Sequence, residues 1–436
     1  MEKQLRRYIL PNILAMVGIS CYVLADTFFI SLQAGADGIT ALNLTLPLYA
    51  LMFALGAMVG IGSATRYSLC KSFAPEEALS YFFNSLFWTL LLSLPFVAAG
   101  IFAPDTVLRW MGADDTIVAI GTSYIRIALC YAPFFMLNYT FTAFVRNDNA
   151  PNIAMTATLI SGMFNIVFDY IFMFPMGLGM VGAALATGIS PIVSMSICMV
   201  HYLSPKNNVK FRWQVPSFTK LVRSCVLGFV AFVGEISSGL TTMVFNFLLL
   251  GLGGNIAVAA YGVVANIALV GTALFNGISQ GLQPLASLVH GKSDTQGERQ
   301  IYRYSLRIGM GIALALVASV WIWGDEMVAL FNSEGSSQLA GYAGPGIRLY
   351  FLGFLCAVVN IIQAGFFSAI GKGLASSAIA FCRGVGAIVI FAFVLSKAFG
   401  ITGVWLAFPA AEIFTFLLTF LLRHRFSGSN HPSGNF

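Results

Sequence analysis

Apolar stretches of about 20 residues or more follow one another along almost the whole chain, separated by short gaps where Pro, Gly and charge gather. Segments of that kind satisfy their backbone polar groups in lipid by coiling into helices, so the pattern leaves little choice of architecture. Composition agrees: 58% of the 436 residues are hydrophobic and 9% charged, with mean hydropathy +0.84, against roughly 25% charged residues in a soluble domain. The chain reads as an all-α membrane protein, and the gaps have no room for a soluble catalytic domain. Its first residues have the basic start and apolar run of a signal peptide. However, the run continues through Cys21, Tyr22 and Val23 to Ile30 without a small-residue cleavage site, so it is read as a retained first helix.

Twelve spans are expected, at about 8–33, 41–67, 79–103, 119–144, 151–175, 181–203, 221–250, 257–289, 303–324, 343–370, 374–396 and 401–422. Their orientation follows from Lys and Arg. With the N-terminus inside, the inner face collects Lys3, Arg6, Arg7, Arg66, Lys71, Arg146, the Lys206 to Arg223 group, Lys292, Arg299, Arg303, Arg307, Lys372, Arg423 and Arg425. The outer face collects Arg109 and Lys397. That asymmetry puts both termini in the cytoplasm and makes the number of spans even. The net charge of +6 is thus a topology signal, and no nucleic-acid partner is expected.

The two halves repeat at an offset of about 220 residues. Gly179-Met-Val-Gly-Ala-Ala-Leu-Ala186 matches Gly400-Ile-Thr-Gly-Val-Trp-Leu-Ala407, and Gly35 to Arg66 matches Gly254 to Gln283 more weakly. Six spans per half is an even number, so two six-helix lobes are expected, related by a pseudo-two-fold axis along the membrane normal. The boundaries are an N-terminal lobe over 1–203, a basic cytoplasmic linker over 204–220 and a C-terminal lobe over 221–436 that ends in a short basic tail.

Four acids lie inside the apolar segments: Asp26, Asp169, Glu235 and Glu412. An ionised carboxylate at a helix centre costs roughly 2.5 to 3.5 kcal/mol on insertion scales, so each needs a partner or a job. Asp26 and Asp169 each stand about 18 residues, or roughly 27 Å, from the inner start of their spans. Asn165 is one turn below Asp169, and Thr187 falls at a similar depth. Such oxygens can hold a hard cation such as Na⁺, and two close acids can share a proton. Hydrogen bonding between helices also accounts for Asn165 and Thr187. The repeat puts Ile390, Gly386 and Phe408 where the first half has Asp169, Asn165 and Thr187, so the cluster belongs to one half only.

Glu235 and Glu412, near the midplane of spans seven and twelve, either line a substrate cavity that attracts cations or are protonated and structural. Arg383 is a candidate partner for one of them. The interior is rich in aromatics and Met, with Tyr22, Tyr139 and Met163 among the residues that would suit bulky amphiphilic cations if they face a cleft. The seven cysteines are scattered singly and the four histidines sit at span ends or in the tail, so no metal centre and no cofactor beyond a coupling ion is expected.

The motifs Asp26-Thr-Phe-Phe-Ile, Leu44-Thr-Leu-Pro-Leu-Tyr, Gly60-Ile-Gly-Ser-Ala, Asn165-Ile-Val-Phe-Asp169-Tyr-Ile-Phe, Gly179-Met-Val-Gly-Ala-Ala-Leu-Ala-Thr187 and Gly400-Ile-Thr-Gly-Val-Trp resemble those of the multidrug and toxic compound extrusion (MATE) transporters, in order and over the whole length. Its MepA-like bacterial branch is the most similar. The resemblance implies two lobes forming a V, no enzymatic activity, and export of cationic aromatic drugs in exchange for H⁺ or Na⁺ by a monomer in the bacterial cytoplasmic membrane. It carries an ion site onto Asp26, Asn165, Asp169, Ala183 through its carbonyl, and Thr187. Glu235 matches an acid found in another branch. Where that branch has a second acid in helix ten, this chain offers Asn360 and Gln363. The rival expectations are a flippase of the same superfamily for an anionic, lipid-linked substrate, an intramembrane enzyme and a channel.

Overall fold

The computed structural model describes residues 2–111, 113, 115–331 and 337–428; the side chains of 2–6, 21–24, 27, 31, 34–40, 43, 238, 255, 330, 331 and 424–428 lie outside the description. Every regular element among the described residues is helical. The order is α1 (Glu2–Cys70), α2 (Pro75–Phe102), α3 (Pro104–Trp110), α4 (Asp115–Cys130), α5 (Ala132–Asn147), α6 (Pro151–Met173), α7 (Gly179–Tyr202), α8 (Phe218–Gly291), α9 (Thr295–Phe331), α10 (Ser337–Leu352), α11 (Phe354–Ala369), α12 (Gly373–Phe381), a π-turn (Cys382–Gly386) and α13 (Ala387–Gly428).

Eight segments are long and apolar enough to cross a membrane, and the bent pairs α4 with α5 and α10 with α11 make ten among the described residues. The 51-residue run Gly373–Arg423 would be about 77 Å long if straight, more than twice the hydrocarbon core of about 30 Å. It breaks at Gly400, whose φ of 59° an L side chain rarely adopts. Two spans therefore occupy it, and the start of α1, including Arg7–Ser20, supplies the twelfth. The result is the twelve-helix, two-lobe arrangement expected.

Helices run further than hydropathy suggests. The expected 303–324 span is part of Thr295–Phe331, because polar first turns continue a helix beyond the lipid. Spans four and ten are each interrupted. Pro133 at the second position of α5 has no N–H to continue α4, and the pair bends by 42°. At Gly353 the pair bends by 43°, and a Cβ there would stand 2.7 Å from the Phe408 ring.

The second lobe is organised around Phe275, Phe351, Phe354, Ile362 and Trp405; the first around Ile30, Met52, Tyr124, Met136 and Ala183. Lipid tails are as apolar as Leu, so close packing rather than water exclusion holds such helices together. Between the lobes α1 lies along α8. At the end of the molecule that carries the N-terminus this contact is very close: Cβ atoms at Gly277 and Gly281 would stand 2.6 Å and 2.7 Å from the Cα atoms of Ile13 and Ile9, and one at Gly62 or Gly228 would overlap the carbonyl of Ser224 or Met58. Tyr8 and Ile9 of the first lobe are counted in the second lobe's core. In the middle of α8, around its break at Gly254, a Cβ at Gly239, Gly251 or Gly262 would meet nothing within 4 Å. Among the described residues, the closest backbone contacts of the seam are those at the end that carries the N-terminus.

Candidate functional site

Asp26 comes from α1, Asn165 and Asp169 from one face of α6, and Ala183 and Thr187 from one face of α7. The sequence brings α6 and α7 close through Gly182, where a Cβ would stand 2.8 Å from the Phe172 carbonyl carbon. The Ser161 hydroxyl donates to the Ser190 carbonyl at 2.6 Å, about two turns further along α7. Between these contacts Asn165 donates its Nδ2 to Thr187 Oγ1 at 3.2 Å. That leaves the Asn165 Oδ1 without a donor.

It is not alone. Both Asp169 oxygens and Asp26 Oδ1 are also buried without a hydrogen-bond partner, and Asp169 is 0% exposed. Asp169 lies within electrostatic reach of Asp26, and Tyr124, whose hydroxyl meets that of Tyr49 at 3.5 Å, lies within reach of both. A buried carboxylate left unpaired costs several kcal/mol. Four acceptor oxygens with no donor from the protein can take a cation or a proton. Ala183 is buried one turn before Thr187, and its carbonyl keeps a second lone pair beyond the helical hydrogen bond. Among the described residues no three His, Cys, Asp or Glu side chains gather as a metal centre.

The other two acids have different surroundings. Glu235 on α8 accepts from the Tyr139 hydroxyl of α5 at 3.1 Å, so this hydrogen bond crosses between lobes. Met163 on α6 is 66% exposed, and the side chain of Tyr22 lies outside the described residues. Glu412 is 1% exposed. Its carboxylate accepts from Arg383 Nη2 at 2.6 Å and Nε at 3.0 Å and from Asn360 Nδ2 at 2.8 Å, while Thr419 donates to Asn360 Oδ1 at 3.0 Å. The structure thus puts Glu412 inside the lobe as the partner of Arg383 rather than on a cavity wall. Arg383 reaches it from the π-turn, where one extra residue re-aims the helix face.

Two further groups were not singled out by residue type. Asp148, at the end of α5, accepts from Lys71 Nζ at 2.8 Å, His201 Nε2 at 3.0 Å, Tyr67 Oη at 3.2 Å, and the Asn208 backbone N and Nδ2 at 2.7 Å and 3.0 Å. Burial works to raise its pKa, but the Lys71, Asn208 and His201 hydrogen bonds outweigh it and hold the carboxyl below its ordinary value. The cluster ties the segment after α7 to the rest of the first lobe. Arg146, the other group, lies in the seam.

The family model MatE matches residues 11–171 and 231–394, three quarters of the chain and parts of both lobes. The chain belongs to the MatE family. Multidrug export protein MepA of Staphylococcus saprophyticus is 27% identical over 432 residues, 97% of this chain and 94% of its own length. That of Staphylococcus aureus is 26% identical over 433 residues with the same coverage. Among solved structures, a MATE protein in complex with MaL6 superposes with TM-score 0.91 at 24% identity. A MOP superfamily transporter from Pyrococcus furiosus, described as having a binding pocket of reverse polarity, superposes with TM-score 0.89 at 24% identity; both cover 98% of this chain and 96% of theirs. These two likenesses establish the MatE fold.

Proposed function

We propose that this MatE protein is a secondary multidrug exporter that exchanges cationic, aromatic amphiphiles for H⁺ or Na⁺ by alternating access. The observation that carries the proposal is the set of four donorless oxygens on Asp26, Asn165 and Asp169. A coupling ion suits that set in either form. A proton would be held between the two carboxyls, or Na⁺ would be held by them with the Asn165 amide oxygen, the Thr187 hydroxyl and the Ala183 carbonyl. Because Asp26 is on α1 and Asp169 on α6, neutralising the pair changes how these helices pack. Since α1 also forms the seam with α8, the change is transmitted to the lobe interface.

Drug export as such is supported by the MepA relatives. Glu235 with Tyr139, joined across the lobes, is the proposed recognition point for a cationic substrate. Met163 and Tyr22 remain cavity candidates, and Glu412 is assigned to the ion pair with Arg383. A flippase for an anionic, lipid-linked substrate would need several free cations facing the cavity, and the Arg383 guanidinium is already engaged by Glu412. The proposed lobes are 1–203 and 221–436, joined by a cytoplasmic linker over 204–220. The protein is proposed to sit as a monomer in the bacterial cytoplasmic membrane with both termini inside, and to bind no nucleic acid.

Ethidium efflux from proteoliposomes, with pH and Na⁺ gradients imposed separately, tests the function. Efflux accelerated by one gradient and abolished in both Asp26→Asn and Asp169→Asn supports it. Efflux that ignores both gradients contradicts it.

A further inference from the structure

Arg146, in the last turn of α5, is 8% exposed and faces α8 across the seam. Its Nη1 donates to the side-chain oxygen of Gln280, its Nε is buried without an acceptor, and among the described residues no carboxylate lies within ion-pair distance of it. Gln280 in turn points its Nε2 at the Met16 sulfur, 3.9 Å away. A guanidinium keeps its proton in a protein. The molecule therefore buries a full positive charge between its lobes against a neutral amide.

Such burial is costly unless the charge is paired, and here the cost is tied to one state. Gln280 lies between Gly277 and Gly281, the two residues on which Ile13 and Ile9 close. When the lobes meet at this end Arg146 is sealed in; when they part there it returns to water. We propose that Arg146 is a positioning residue of the transport cycle, a charge whose forced burial raises the free energy of the state sealed at this end and so drives the carrier to reopen there. This rests on the alternating-access reading above. A simple latch would have the opposite sign, because the hydrogen bond to Gln280 would then hold the seam shut.

The test uses the full-length protein in proteoliposomes, with its native cysteines replaced and spin labels at Phe73 and Lys292. These are exposed residues on the two sides of the seam, where Gly291 approaches the Leu69 carbonyl. Pulsed electron–electron distance measurements read the ratio of shut to parted molecules. In Arg146→Gln, which removes the charge and keeps a side chain able to meet Gln280, the shut fraction should rise by about tenfold or more relative to the parted one. Gln280→Glu keeps Arg146 and supplies the missing counter-charge; it should shift the ratio the same way and slow turnover, while Arg146→Lys stays near wild type. A fall in the shut fraction in Arg146→Gln, or no change in either charge-altering variant while the wild type shows both distances, overturns the proposal alone. A single distance in the wild type under every gradient and substrate condition overturns the alternating-access reading and this proposal with it.

Discussion

Asp169→Asn separates an ion-binding acid from a merely structural one, because the two roles predict opposite signs for stability. Asp169 is fully buried and neither of its oxygens has a donor. If it served to tie helices together it would have partners to lose, and its replacement would cost about 1 to 3 kcal/mol. The present geometry instead predicts that a neutral amide of the same shape leaves the melting temperature unchanged or raises it, since an unpaired carboxylate beside Asp26 is removed. The binding term moves the other way. A cation about 4 Å from a carboxylate, at an effective dielectric of about 20, loses about 4 kcal/mol when that charge is neutralised, about a thousandfold in affinity. Thermal unfolding of the detergent-solubilised protein across Na⁺ concentration and pH, run beside ethidium efflux from proteoliposomes, measures both terms. The expected result is an intact, stable protein with no gradient-driven efflux. Wild-type efflux, or a clear fall in stability, would refute the reasoning.

Three further outcomes follow. Arg383→Met should destabilise the second lobe by about 3 to 5 kcal/mol by leaving Glu412 buried without its partner, and adding Glu412→Leu should recover most of that loss in thermal unfolding. Tyr139→Phe removes a neutral hydroxyl donor to Glu235 and should change apparent substrate affinity in efflux assays by up to about tenfold without loss of folding. The depressed pKa of Asp148 means that the folded state favours its ionised form. That stabilisation is fully present above the ordinary carboxylate range, near pH 4, and is lost as pH falls through the lower folded value. Asp148→Asn should therefore unfold more readily than wild type at pH 7 but show a weaker acid dependence below pH 4.

Much of the architecture was legible in the sequence because the bilayer reduces the problem to helix length and charge asymmetry. Twelve apolar runs, two glycine-led repeats and the one-sided Lys and Arg were enough for the two-lobe expectation. Part of the cluster on α6 and α7 was equally visible, since Asn165 and Asp169 follow helical spacing and Thr187 falls at a similar depth, whereas Ala183 came only with the family resemblance and the close approach at Gly182 only with the structure. Pairings between distant segments were legible only in part: Arg383 stood out as a partner for Glu235 or Glu412, but nothing in the residues chose between the two. Arg383 and Glu412 are 29 residues apart, and the π-turn that aims Arg383 has no residue signature. Asp148 draws its donors from α1, α7 and the segment after α7, each of which looked like an ordinary basic or polar span end. Arg146 was absorbed into the count of inner positive charges, because hydropathy cannot tell a snorkelling arginine from one folded into a seam.

The central claim is that the donorless oxygens around Asp26 and Asp169 bind the coupling ion. The most direct measurement is ion binding itself: ²²Na⁺ binding, and proton uptake or release followed with a pH-sensitive dye, on purified wild type, Asp26→Asn and Asp169→Asn in the same detergent. Saturable binding of one of the two ions to the wild type, lost in both variants while Glu235→Gln retains it, is the predicted result. Equal binding to all four proteins would contradict the account.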